Sequence, residues 1–471
     1  MHYLRTILLV SLLFNSTSGT AQTVPFILDS ILDHTLDSMR LSMGAKSLSG
    51  AIQFPDTAVW AHADGISSAS PATFVDIDDA YLIGSVTKTL TAACILQLVD
   101  DGIMNLDDSL YMWMDTIQHI NPNITIRQLL RHQSGIYDVL GNPACQPALI
   151  SDQDSIWSAE DLVNTFIGPP IFQPGANWSY SNTNYFLLGM IIERATGNPF
   201  HQEIRTRFLS ALGLSSVAIK AFEPVNSPVA HVWMDLNNDQ ILEDAHNFYF
   251  NYLSLNSAAG AAGGYYSTPS DITKWMRTYM RGDLVSPALM AEAKTTVTSP
   301  GVPGGTYGLG LMKKPFLGIQ AYGHGGDLAY AASSWYFPSL DISISVLMND
   351  GSKNSWTLAP VIVALLRTYT NYIASTTAIN EIDNSVLGWS VYPNPVLDKL
   401  NLTITLNKHA ENIHVTLTNI LGETIRTTSL SNITPGQHIL EFKNIETISK
   451  GIYIATLYLN GTKVGSEKII K

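Results

Sequence analysis

The chain has 471 residues, of which 46% are hydrophobic and 14% are charged, and its formal net charge is −13. This composition predicts a globular protein and excludes a disordered one, and the length predicts two or three domains. The acidic balance argues against a nucleic-acid partner, because a nucleic-acid-binding surface would be basic.

Residues 1–21 have the pattern of a secretory signal peptide. One arginine is followed by the apolar run 7–14, and the small residues 19–21 precede a plausible cleavage point. The apolar run is far shorter than the ~20 residues of a membrane-spanning helix. We therefore expect an exported protein without a transmembrane span. Export permits a disulfide between Cys94 and Cys145, although a buried free thiol is commoner for a cysteine in an apolar helix.

Residues 85–102 form a strong helical pattern, SVTKTLTAACILQLVDDG, which a strand-like apolar run precedes. Ser85 begins the pattern and Lys88 follows three residues later, so both side chains lie on one face of a helix. A serine hydroxyl is a poor nucleophile until a neighbour removes its proton, and a lysine with a lowered pKa can do so. A serine cap followed by a lysine is the alternative that this short motif leaves open.

Two further polar motifs stand at the ends of predicted elements. Tyr180 and Asn182 belong to the motif YSN. This motif follows turn residues and overlaps the start of the helical pattern of 181–200. A tyrosine beside a lysine can hold phenolate character and accept a proton, whereas a turn tyrosine followed by a capping asparagine is the alternative. The glycine-rich GHGGD at 323–327 allows a backbone N–H to approach an oxyanion, and a hairpin corner is its alternative.

The composition changes near residue 375. Residues 376–390 have no clear period and are predicted to be a linker. Residues 391–471 carry eight basic and six acidic residues, whereas the rest of the chain is strongly acidic. Short segments of alternating hydrophobicity in this region predict an all-β, Ig-like sandwich. These segments are 400–406, 413–420, 423–430, 438–445, 453–461 and 464–470.

The order and spacing of SVTK, YSN and HGG are more specific than any one of these motifs. Together they resemble the serine β-lactamase-related family, which includes class C β-lactamases, D-alanyl-D-alanine carboxypeptidases and penicillin-binding-protein-like esterases. The segments around 126–136, 172–197, 257–276 and 307–312 are also similar to that family. The resemblance implies an α+β, β-lactamase/transpeptidase-like fold for residues 22–375, with an antiparallel sheet flanked by helices and a helical subdomain.

The resemblance also implies catalytic roles by position. Ser85 corresponds to the acylated nucleophile, Lys88 to its proton partner, and Tyr180 to the general base that later protonates the leaving group. No metal or organic cofactor is needed for this chemistry. The expected activity is hydrolysis of a small peptide, amide or ester, as in a D-Ala-D-Ala carboxypeptidase or D-amino-acid peptidase. A penicillin-binding-protein-like esterase, a β-lactamase and a non-catalytic surface binding protein are the alternatives.

The substrate-binding residues that the resemblance implies are Asn182, His324 and Gly326. Asn182 would hold the substrate amide, and the backbone N–H groups of Ser85 and Asp327 would form the oxyanion hole. His324 stands where many relatives have lysine, so a fixed positive charge is replaced by a group that ordinarily titrates near pH 6.5. We therefore expect carboxylate-bearing substrates to bind best below about pH 6.5.

The last 81 residues have a resemblance of their own. The segments at 391–402, 420–425 and 449–471 are similar to the sorting domain of the type IX secretion system of Bacteroidetes. This resemblance implies the type IX machinery as a partner and an extracellular or outer-surface location. A sandwich that binds carbohydrate or protein is the alternative.

Overall fold

The computed structural model describes residues 24–246, 253–377, 386–396, 398–419 and 423–471. The predicted signal peptide lies outside these described residues. The described chain divides into two compact units, which separate between Thr368 and Tyr369.

Strands and helices alternate along the first unit. Its strands are β1 (Ser47–Gln53), β2 (Val59–Ala69), β3 (Ala72–Phe74), β4 (Tyr81–Leu82), β5 (Trp233–Met234), β6 (Glu243–Asp244), β7 (Tyr266–Ser267), β8 (Val297–Thr298), β9 (Thr306–Tyr307), β10 (Met312–Phe316), β11 (Ile319–Leu328), β12 (Tyr330–Phe337) and β13 (Ile342–Met348). Within the described ranges, nine of them form one antiparallel sheet in the order β3-β2-β1-β13-β12-β11-β10-β9-β8. The pairs β4–β7 and β5–β6 form small separate sheets.

The helices cover the sheet and build a separate helical part. They are α1 (Phe26–Met43), α2 (Thr87–Asp100), α3 (Ile126–Leu130), α4 (Cys145–Ser151), α5 (Ala159–Phe166), α6 (Thr183–Thr196), α7 (Phe200–Ile204), α8 (Ser210–Leu212), α9 (Leu253–Gly263), α10 (Pro269–Arg281), α11 (Pro287–Ala293) and α12 (Ala359–Thr377). Helix α10 packs on β1, β12 and β13, and α1 packs on β1 and β2. Helices α2, α6 and α9 pack on one another. This arrangement confirms the predicted α+β fold with an antiparallel sheet and a helical part.

Helix α2 is the central helix of the first unit. The sequence predicted a helix over 85–102 with one apolar stripe, and the structure places a 3₁₀ turn at Gly84–Val86 before α2. Every residue from Thr87 to Leu96 is buried, so the helix has no solvent face over that length. It is enclosed because α6 and α9 pack on it and β11 lies beside its first turn.

The described residues of the second unit form strands, apart from the last turns of α12 and a short 3₁₀ turn. The strands are β14 (Val386–Tyr392), β15 (Leu400–Leu406), β16 (Ala410–Asn419), β17 (Thr424–Ile433), β18 (Gly436–Phe442), β19 (Ile452–Leu459) and β20 (Thr462–Ile470). They form the sheets β14-β15-β18 and β17-β16-β19-β20. Alternate residues of β15 point into one hydrophobic core, so the period-two pattern correctly predicted an all-β domain.

Both ends of the predicted linker 376–390 belong to neighbouring elements in the structure. Helix α12 extends to Thr377, and β14 begins at Val386 and pairs with β15. Residues 378–385, between these elements, lie outside the described residues. The five positions 386–390 therefore belong to the β-sheet domain, where pairing with β15 satisfies backbone groups that a linker would leave to water.

The cysteines do not bridge. Cys94 and Cys145 are both free and buried in the described part of the chain. Burial raises the pKa of the Cys94 thiol to about 12, which keeps it protonated and unreactive at neutral pH. Among the described residues, no helix combines the length and apolarity that crossing a bilayer requires.

Candidate active site

Ser85 lies in the tight turn that joins β4 to α2. The turn begins at Gly84, whose φ of +51° lies in the left-handed region that favours glycine. A Cβ at Gly84 would also lie 2.7 Å from the Asp327 nitrogen, so the turn is pressed against β11. Ser85 itself is only partly buried and lines a cavity, which leaves its hydroxyl accessible to a substrate.

Lys88 stands one helical turn after Ser85 and has no exposed surface. Its ammonium donates hydrogen bonds to Ser85 Oγ at 3.0 Å, Asn182 Oδ1 at 2.8 Å and the Ala262 carbonyl at 2.8 Å. Burial lowers the pKa of Lys88 to about 7, and the carboxylate of Asp138 opposes part of this change. A lysine with this pKa is neutral in about half of the molecules at pH 7 and can accept the serine proton.

Tyr180 lies against the same lysine. The Lys88 ammonium sits 4.8 Å from the centre of the Tyr180 ring. The Tyr180 hydroxyl is buried and has no hydrogen-bond partner among the described residues. Burial raises the pKa of Tyr180 above its ordinary value of 10, although the Ser85 hydroxyl acts in the opposite direction. The expected phenolate character is therefore wrong, because desolvation, reinforced by the Asp138 and Asp327 carboxylates, outweighs the effect of the Ser85 hydroxyl and keeps the phenol protonated.

Asn182 connects the lysine to a carboxylate that sequence analysis missed. Its Oδ1 accepts from Lys88, and its Nδ2 donates to Asp138 Oδ2 at 2.9 Å. Burial raises the pKa of Asp138, while hydrogen bonds from Asn182 and Leu140 and the Lys88 charge lower it. The structure thus brings Ser85, Lys88, Tyr180 and Asn182 together, with Asp138 behind them.

The backbone of β11 passes beside Ser85, where the oxyanion hole is expected. A methyl group at Gly326 would lie 1.9 Å from the Ile83 carbonyl oxygen and 2.9 Å from the Ser85 nitrogen. Contacts this short exclude any Cβ, so the position requires glycine. The Asp327 carboxylate is turned away and accepts the N–H and hydroxyl of Ser355. Ser85 and Asp327 line the same cavity, as an oxyanion hole built from their N–H groups requires.

His324 lies in β11 and is fully buried. Its Nδ1 donates to the Gly325 carbonyl, and its Nε2 accepts from the Tyr307 hydroxyl at 2.9 Å. Burial and the charge of Lys88 lower the pKa of His324 to about 3. The expected titration near pH 6.5 is therefore wrong, because the imidazole stays neutral and both of its nitrogens bind groups of the protein.

The nucleophile lines the smaller of two adjoining cavities. The smaller, of about 90 Å³, is lined by Ser85, Asn182 and Asp327 and by apolar side chains such as Leu140. The larger, of about 500 Å³, shares the residues Leu149, Leu255, Asp327 and Leu328 with the smaller one. A substrate can therefore place its reacting carbonyl at Ser85 and its side chain in the larger, mainly apolar cavity.

Sequence analysis did not single out three residues near the site, namely the buried His132 and Tyr307 and the half-buried Asp138. His132 and Tyr307 fall inside segments 126–136 and 307–312, which were identified as similar to the hydrolase family. Those segments were therefore a signal, but nothing in the sequence showed which of their polar side chains meet. Asp138 follows the first segment by two residues and had no comparable signal.

Family comparisons agree with the geometry of both units. A family model described as Beta-lactamase matches residues 52–365. A second model, described as Secretion system C-terminal sorting domain, matches residues 390–471. The sorting domain indicates secretion by the type IX system, to the cell surface or outside the cell.

Curated relatives match part of the chain. Penicillin-binding protein 4* of Bacillus subtilis is 28% identical over 163 residues, which are 34% of this chain and 34% of the relative. Protein flp of Staphylococcus aureus is 29% identical over 205 residues, covering 41% of this chain and 38% of the relative. The chain thus matches little more than a third of the length of these relatives.

Solved structures match most of the first unit. A D-stereospecific amidohydrolase from Streptomyces sp. has a TM-score of 0.59 and 28% identity, covering 69% of this chain and 94% of that chain. A D-amino acid amidase from Ochrobactrum anthropi has a TM-score of 0.64 and 23% identity, covering 73% of this chain and 99% of that chain. At this identity the amidase likeness concerns the fold alone.

The fold, the serine–lysine pair and these matches agree on one protein family. The chain belongs to the beta-lactamase family and carries a type IX sorting domain at residues 390–471.

Proposed function

We propose that this enzyme hydrolyses small neutral amides and esters, D-amino-acid amides above all, through an acyl-enzyme on Ser85. The observation that carries the proposal is the 3.0 Å contact between the Lys88 ammonium and Ser85 Oγ, made by a lysine whose pKa is about 7. This contact supplies a nucleophile and its base at hydrogen-bond distance, which is the geometry that nucleophilic catalysis requires.

In the proposed mechanism, neutral Lys88 takes the proton of Ser85 as Oγ forms a bond to the substrate carbonyl carbon. The negative charge on the carbonyl oxygen is stabilised by the N–H groups of Ser85 and Asp327. Tyr180, kept protonated by its burial, gives its proton to the departing amine or alcohol and regains one from Lys88. Water then attacks the acyl-enzyme carbonyl while the again neutral Lys88 takes one of its protons. The bond to Ser85 Oγ breaks, the product acid leaves, and Lys88 returns that proton to Ser85.

The charges around the site favour a neutral substrate. No basic side chain is among the described residues that line the cavity of Ser85, and Lys88 lies behind it, fully bonded. The larger cavity contains Lys353, but the Lys353 ammonium is paired with the buried Asp350 carboxylate. D-Ala-D-Ala peptides and β-lactams carry a carboxylate that would meet no free cation there. An amide or ester without one fits better, and the similarity to a D-stereospecific amidohydrolase supports the D configuration.

A substrate panel tests this proposal. D-phenylalanine amide, L-phenylalanine amide, a p-nitrophenyl ester, a D-Ala-D-Ala peptide and nitrocefin are to be compared by kcat/KM in full-length protein. We expect the highest kcat/KM values for the D-amide and the ester. A simple esterase, the second candidate, would turn over the ester and leave both amides intact. A D-Ala-D-Ala peptide or nitrocefin as best substrate would overturn the preference for neutral substrates, and no turnover at all would favour the binding protein.

His324 gives a prediction that is the reverse of the expectation from sequence. Because its pKa is about 3, the imidazole is neutral throughout the range from pH 5.5 to 8. We expect KM for a D-Ala-D-Ala peptide to change no more with pH over this range than KM for a neutral ester. A peptide KM that falls several-fold below pH 6.5, with the ester KM unchanged, would show that His324 does gain a charge and bind the carboxylate.

The sorting domain gives a prediction about location. Its strands form a separate hydrophobic core, and the catalytic residues all lie in the first unit. Deleting residues 391–471 in a host with a type IX system should leave hydrolase activity in the periplasm, because we propose that residues 1–21 still direct export across the inner membrane. Activity is to be measured in periplasm and medium. Normal activity of the truncated protein in the medium would contradict the sorting role.

A further inference from the structure

His132 lies against the ring of Tyr180, and no catalytic step proposed above uses it. It is fully buried, and its backbone adopts a φ of 57°, which is uncommon for a residue other than glycine. Its ring lies 4.2 Å from the Tyr180 ring, centre to centre. Its carbonyl accepts the N–H of Ser179 at 3.1 Å, and its Nδ1 accepts the N–H of Ser181 at 3.2 Å. One histidine therefore contacts three consecutive residues of the catalytic loop.

The contact with Ser181 fixes where the His132 ring carries its proton. A backbone N–H can only donate, so Nδ1 must be the bare, accepting nitrogen. The side-chain amide of Asn184 lies 3.0 Å from the same nitrogen, and its other end accepts from Ser134. In the neutral ring the proton is then on Nε2.

On the other side of the ring, hydrogen bonds connect the side chains of His132, Tyr307 and His324 in a row. His132 Nε2 lies 3.2 Å from the Tyr307 hydroxyl, which lies 2.9 Å from His324 Nε2. The opposite nitrogen of His324 faces the Gly325 carbonyl, which can only accept, so His324 carries its proton on Nδ1. The direction of the chain follows from both ends: His132 donates to Tyr307, and Tyr307 donates to His324.

We propose that His132 is a positioning residue that holds Tyr180 and Asn182 against Lys88, and that Tyr307 and His324 fix the tautomer in which it can do so. This inference rests on the proposed function, because it concerns the acylation of Ser85. A proton on Nδ1 of His132 would face the two donors of Ser181 and Asn184 and release the loop. Displacement of a catalytic group by ~1 Å can slow a reaction about 10²-fold.

The two ends of the ring can be tested separately with matched variants. His132→Asn keeps an acceptor near the position of Nδ1, and His132→Gln keeps an amide donor near the position of Nε2. The readout is the second-order rate constant for fluorophosphonate labelling of Ser85 in full-length protein, well below the unfolding temperature of both variants. We expect His132→Asn to remain within about tenfold of wild type and His132→Gln to lose about 10²-fold. Equal rates for the two variants, or a wild-type rate for His132→Gln, would overturn the proposal.

A second measurement tests the tautomers without any substitution or turnover. In wild-type protein with ¹⁵N-labelled histidine, we expect a bare Nδ1 and a protonated Nε2 for His132, and the opposite pattern for His324. A protonated Nδ1 in His132 would refute the positioning role, whatever the variants do. If wild-type protein never labelled at Ser85, the proposed function would fail, whereas this spectrum would still decide the proton positions.

Discussion

Ser85→Ala is expected to abolish hydrolysis of every substrate that the enzyme accepts, with a loss in kcat/KM of at least about 10³-fold. The reason is that the hydroxyl is the atom that bonds to the substrate carbonyl, and removal of a nucleophile removes the acyl-enzyme route altogether. The measurement is kcat/KM for a p-nitrophenyl ester and for D-phenylalanine amide.

The Ser85→Ala variant is also a clean control for folding. The variant loses the hydrogen bond from Lys88, which still has Asn182 and Ala262 as acceptors. We therefore expect the same unfolding temperature to within a few degrees. A well-folded variant that keeps most of the wild-type activity would contradict the nucleophile assignment.

Lys88→Met is expected to lower kcat/KM by about 10²–10⁴-fold, the usual contribution of a general base. Methionine has a similar length and no charge, so the change removes the proton acceptor from the buried position. The comparison is with wild type on the same neutral ester, after circular dichroism has shown that the variant is folded.

The pH dependence of the wild type provides an independent check of Lys88. Lys88 acts as a base only when neutral, and its pKa is about 7. We therefore expect kcat/KM to fall about tenfold for each pH unit below 7 and to level above it. In Lys88→Met the residual kcat/KM should no longer fall below pH 7. An identical fall in the variant would show that another group titrates.

The serine–lysine pair was predictable because its geometry is local. Residues three apart on a helix share a face, and the structure places Ser85 and Lys88 in hydrogen-bond contact as that spacing predicts. The strands of residues 391–471 were predictable for the same reason, since alternation along a strand needs no knowledge of distant segments. Helix α2 was predicted to have one apolar face, but burial on all sides depends on the packing of α6 and α9.

The protonation states at the site could not be predicted, because they depend on burial by distant parts of the chain. From sequence, Tyr180 was expected to gain phenolate character from Lys88, but its surroundings desolvate the hydroxyl and raise its pKa. His324 was expected to be charged below pH 6.5. In the structure it is buried in β11 and bonded to Tyr307, and burial lowers its pKa. Asp138 belongs to no sequence motif. Its place at the site depends on folding, which brings it into hydrogen-bond contact with Asn182.

The most direct test of the central claim is mass spectrometry of the intact, full-length protein after rapid mixing with a slowly deacylating p-nitrophenyl ester. The proposed mechanism predicts one added acyl group per chain, located on the peptide that contains Ser85, which disappears as the enzyme turns over. Ser85→Ala should gain no mass under the same conditions. Turnover without any covalent intermediate, or an acyl group on another residue, would contradict the mechanism.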